Sequence, residues 1–124
     1  LEERFVWDSE QGIFFANFAG MTVRTVGDVD AIAAALEVKV KPIGRQVPAM
    51  VDYTNFVVLP DALDAYTDMV RDLAGRYYSR VTRYTTSAFL RAKLGEALLE
   101  RGVAPHIFES AEDARRQLKA LERR

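Results

Sequence analysis

The residues best equipped for chemistry gather in three short polar segments: Asp52-Tyr53-Thr54-Asn55, Arg83-Tyr84-Thr85-Thr86-Ser87 and Glu109-Ser110. Each follows an apolar, β-branched run and precedes a stretch with helical spacing. In open α/β sheets that is where ligands gather, beyond the carboxyl ends of the strands and against helix N-termini. The second segment is the richest. Its three hydroxyls, Thr85, Thr86 and Ser87, and the free amides of a helix start could cradle an anion, with Arg83 and Arg91 adding charge. Arg91 lies one helical turn beyond Ser87, so both can face one spot. Helix capping calls for the same residue types, so Thr86 or Ser87 as an N-cap beside solvated arginines is the competing reading. Asp52 and Asn55 could supply polar groups or ligands to a divalent ion, and turn formation explains them equally well. Thr54 is the only aliphatic hydroxyl of its loop, the one place there for a phosphorylation switch.

Other chemistries lack their parts. There is no Cys, which removes disulfides, thiol catalysis and Cys-based zinc sites. The single histidine, His106, follows Pro105 in a short strand-like run, and no Ser/His/Asp pattern accompanies it. Its expected role is as a packed or surface residue. The glycine spacings fit neither a dinucleotide fingerprint nor a P-loop. Arg76, Tyr77, Tyr78, Arg80, Arg83 and Tyr84 interleave basic and aromatic residues in a way that can stack bases, yet Tyr77 continues a helical seam and Val81 to Tyr84 reads as a strand. With 17 basic against 18 acidic residues the formal charge is −1, short of the basic excess a nucleic-acid binder needs. No run reaches the roughly 18 apolar residues that span a bilayer.

The elements that must position these segments follow from periodicity. Phe5-Val6-Trp7 and Ile13 to Phe18 predict a hairpin around Asp8-Ser9-Glu10-Gln11-Gly12. In the second strand Phe14, Ala16 and Phe18 share one face and Ile13, Phe15 and Asn17 the other, so both faces are mostly apolar and the strand is expected to be covered twice. Thr25 to Asp28 matches a capping box, opening a helix with Val29, Ile32, Ala33, Leu36 and Val40 inward. Val47 to Tyr53 predicts a buried strand, and Pro60 suits the first turn of a helix carrying Leu63, Tyr66, Val70, Leu73 and Tyr77. Val81 to Tyr84 is a further strand. Ser87 then precedes a helix with Leu90, Leu94, Ala97 and Leu98 inward, ending at Gly102. Ala104 to Phe108 is a last short strand, and Ser110 and Asp113 cap a final helix with Ala114, Leu118 and Leu121 inward.

The expected order is β-β-α-β-α-β-α-β-α: a mixed sheet of about five strands with about four helices, in one α/β domain over residues 1–124. At 124 residues, 49% hydrophobic and 28% charged, the chain can bury a core unaided. It begins without Met and without a signal-like segment, as expected of a domain excised from a larger chain.

Two stretches carry a family resemblance. Val51-Asp52-Tyr53-Thr54-Asn55-Phe56 with Asp64 to Val70 is one; Arg76-Tyr77-Tyr78 through Arg83-Tyr84-Thr85-Thr86-Ser87-Ala88-Phe89-Leu90-Arg91 to Gly95, with Val103 to Ile107, is the other. Together they resemble the C-terminal extension of bacterial acyl-CoA:acetate/3-ketoacid CoA-transferases of the propionate CoA-transferase type, over nearly the whole chain. The resemblance implies a cytoplasmic enzyme whose catalytic domains precede this one and act on coenzyme A thioesters through a glutamyl-CoA intermediate. Those catalytic domains are the implied partner, with a homo-oligomer possible, and no cofactor is implied for this fragment. Ser9-Glu10-Gln11-Gly12 looks like the family's Ser-Glu-Asn-Gly motif, but Gln replaces Asn and the segment reads as a hairpin turn, so no nucleophile role passes to Glu10. The element order is also similar to STAS-like domains, although the Asp52 to Pro60 loop lacks the phosphorylatable Asp-Ser-Gly style motif of their switching members. The expectation is a non-catalytic accessory domain serving assembly, regulation or ligand sensing. The alternative is a self-standing interaction or anion-binding module.

Overall fold

A computed structural model describes residues 1–122. The hairpin comes first: β1 (Phe5–Asp8) and β2 (Ile13–Asn17) pair antiparallel. Its turn is built by Asp8, whose carboxylate accepts from the amides of Glu10 and Gln11 at 3.0 and 2.9 Å. Gly12 closes the turn at φ 68°, where a side chain would be strained. Glu10 is exposed in this turn.

Helix α1 (Val26–Val40) opens with the expected capping box: the Asp28 amide donates to Thr25 Oγ1 at 3.1 Å, and Thr25 N–H donates back to the Asp28 carboxylate at 3.2 Å. Next come β4 (Val47–Asp52) and α2 (Pro60–Tyr77) with Pro60 in its first turn, then β6 (Tyr78–Tyr84), α3 (Ala88–Glu100), β7 (Ile107–Phe108) and α4 (Ala111–Glu122). Ser110 Oγ accepts from the Asp113 amide at the start of α4. Two short strands lie between these elements, β3 (Thr22–Val23) and β5 (Val57–Val58), which pair parallel in a small sheet of their own.

The main sheet runs β1-β2-β4-β6-β7, with every pair after the hairpin parallel. Helices cover both faces. Under α1, α2 and α3 lies the larger core, where Phe14, Ala16, Ala49 and Val51 meet Ile32, Leu36, Tyr66, Leu73 and Leu94. Under α4 lies a smaller one of Ile13, Met50, Ala114 and Leu118. The alternation along β2 therefore divides as its sequence implies. Among the described residues no helix is long and apolar enough to cross a membrane.

The boundaries shift by one residue at β1, β2 and β4 and differ more at two further strands. β6 starts at Tyr78 rather than Val81, because α2 passes into it without a loop. β7 is confined to Ile107–Phe108, not Ala104 to Phe108. Pro105 has no N–H to give a ladder, and His106 adopts φ 43°, so the chain cannot run extended through them.

Candidate functional site

Strands β2, β4 and β6 all point their carboxyl ends the same way, and the N-termini of α1, α2 and α3 lie at that end. All three candidate segments reach it, as their position after the strands requires. Their side chains, however, are drawn into the fold. Asp52 Oδ1 accepts from the Thr54 amide at 2.8 Å, a side-chain-closed turn. The same carboxylate sits beside Tyr84, whose phenol is pushed up to about 12 by burial and by that negative charge. Asn55 occupies the left-handed region at φ 53°, which asparagine tolerates better than most residues.

In the second segment Thr85 is buried and its hydroxyl accepts from the Ser87 amide at 3.2 Å. Ser87 is the N-cap of α3, accepting from the Leu90 amide at 3.1 Å. Arg91 folds back from the first turn of that helix. Its Nη1 donates to the Thr85 carbonyl at 2.8 Å, and its Nη2 reaches Glu109 at 3.4 Å. Thr86 is exposed. Capping and loop closure thus employ most of the hydroxyls and one arginine of the candidate anion cradle.

Arg83 does not join them. It is 1% exposed and lies on the opposite side of the sheet from Thr82 and Tyr84, under α1–α3. Nη1 donates to the Pro105 carbonyl at 2.7 Å, with the Ala104 carbonyl at 3.5 Å, and among the described residues Nε has no hydrogen-bond partner. The bent 104–106 segment that shortens β7 is the one that presents these carbonyls. Around the guanidinium stand three tyrosines. Tyr53 and Tyr66 share a hydrogen bond of 2.6 Å between their hydroxyls. Burial raises the pKa of both, and it raises that of Tyr78 as well, while the Arg83 charge pulls the other way.

Comparison with protein-family models, with curated proteins and with solved structures finds no match. The site must be read from its own geometry.

That geometry separates two regions which the sequence reading places at one spot. Arg91, Ser87 and the Asp52 turn stay at the carboxyl edge, whereas Arg83 belongs to the interior. The strand pattern carries the signal for this: Arg83 has the parity of Val81, opposite to Thr82 and Tyr84, and so sits on an apolar face. Tyr53, Tyr66 and Tyr78 were not expected to act together. Tyr53 and Tyr66 lie on different elements 13 residues apart, and only packing joins them.

The edge also carries apolar groups without cover. Phe89, in the first turn of α3, is 79% exposed, and Val26 at the start of α1 and Val57 in β5 are about half exposed. Among the described residues no group of three or more His, Asp or Glu is placed to hold a metal ion.

Proposed function

We propose that the chain is a non-catalytic accessory domain, STAS-like in architecture, of an acyl-CoA:acetate/3-ketoacid CoA-transferase, and that it contacts the catalytic domains through its carboxyl edge. One observation carries the reading: the polar side chains at this edge are largely engaged in capping and turn bonds, while Phe89, Val26 and Val57 project from it uncovered. An edge that ties Thr85 and Ser87 to backbone amides and shows an aromatic ring to solvent is better suited to a protein surface than to a polar substrate. The STAS-like part of the reading rests on element order, a hairpin and then parallel strands that alternate with helices.

On this reading the thioester chemistry belongs to the preceding domains and the coenzyme A substrates are theirs. The domain acts by assembly. The test is to mix the purified chain with the catalytic domains encoded alongside it and follow complex formation by light scattering. Complex formation weakened at least tenfold by Phe89→Ser is expected. No complex, together with binding of coenzyme A or inorganic phosphate at the Ser87–Arg91 edge, would favour a self-standing anion-binding module instead.

A further inference from the structure

The interior around Arg83 holds a cavity of about 20 Å³ between the sheet and α1–α2, walled by Tyr53, Tyr66, Tyr78 and Arg83 together with apolar groups such as Phe18 and Leu36. Among the described residues no acidic side chain lines it. A guanidinium is charged at every accessible pH, and a buried charge without a counter-charge is strongly disfavoured. The tyrosines do not supply that counter-charge, because burial holds the phenols of Tyr53 and Tyr66 in their neutral form. The Ala104 and Pro105 carbonyls, and the Tyr53 hydroxyl that the Arg83 side chain also engages, offer only dipoles.

We infer that this cavity is a structural halide site, occupied by chloride, with Arg83 Nε–H and a tyrosine hydroxyl as its donors. Three observations converge on it. Arg83 Nε is buried without a partner among the described residues. In the Tyr53–Tyr66 pair one hydroxyl donates to the other, so one hydroxyl hydrogen remains to be given. The space suits a guest of one heavy atom. Water fits by size, but a neutral guest leaves the charge uncompensated.

The experiment uses the wild-type chain. Crystals grown in bromide should show an anomalous peak within hydrogen-bonding distance of Arg83 Nε. Unfolding followed at constant ionic strength, with chloride replaced by gluconate (too large to enter), should show Tm rising by about 5 °C for each tenfold of chloride above its dissociation constant. Arg83→Met should abolish the chloride dependence if it folds. Should it fail to fold, the two wild-type measurements decide alone. A Tm equal in chloride and gluconate overturns the inference, whether the cavity then shows no anomalous peak or holds an adventitious ion only.

Discussion

Arg83 and Arg91 are eight residues apart and flank one polar segment, yet they inhabit different regimes. Around Arg83, everything polar is enclosed: Tyr53 and Tyr66 are 1% and 0% exposed, and the rings of Phe18, Tyr53, Phe56 and Tyr66 pack at centroid distances between 4.8 and 6.5 Å. Around Arg91, Thr85 and Ser87 are tied to backbone amides, and exposed Thr86 and Glu109 share the surface with the uncovered ring of Phe89. The difference teaches that chemical type alone does not make a site. A strand alternates its sides, so one residue of parity sends a guanidinium into the core, whereas the helix that follows returns the next arginine to the edge.

Substitutions on the two sides test this contrast. The largest effect is expected inside: Tyr66→Ala should lower the stability by about 3–5 kcal/mol, measured by urea unfolding, because it empties the centre of the aromatic cluster. Tyr53→Phe keeps the ring and removes one hydroxyl, leaving that of Tyr66 buried without its mate. A loss of about 1–3 kcal/mol is expected in the same assay. At the edge, Ser87→Ala should cost about 1 kcal/mol through the lost cap of α3. Phe89→Ser should change stability by less than about 0.5 kcal/mol. Interior substitutions no costlier than these edge ones would erase the distinction.

The smallest effect concerns acid. Asp68 on α2 takes a hydrogen bond and charge from Arg101 at the end of α3, which hold its carboxyl below the ordinary value. A depressed folded pKa adds stability above the unfolded value near 3.8 that is lost as pH falls through the folded one. Arg101→Ala should move the Asp68 titration back toward that value, as read by carboxyl NMR.

Much of this architecture was legible because local rules and burial agree. The Thr25–Asp28 capping box, the two-sided β2 strand and the inward stripe of Leu90, Leu94, Ala97 and Leu98 all follow from spacing. What escaped depends on distant partners. The β3–β5 pair is two residues per strand, too short for periodicity to register, and exists because Val57 N–H and Leu59 N–H reach the carbonyls of Met21 and Val23. The 104–106 segment looks strand-like from its residues, but its carbonyls turn to Arg83 instead. Strand order implies that the three polar segments share the carboxyl edge, while the bonds of Thr85 and Ser87 and the exposure of Phe89 depend on how α3 seats.

The proposed role, assisting a transferase without sharing its chemistry, is open to direct measurement. The direct measurement takes the complete transferase, with and without these residues, and records formation of the glutamyl-CoA intermediate beside the solution mass. An accessory role predicts that the intermediate still forms in the shortened enzyme while assembly weakens. Loss of the intermediate at unchanged mass, or turnover of acyl-CoA by this chain alone, would contradict it.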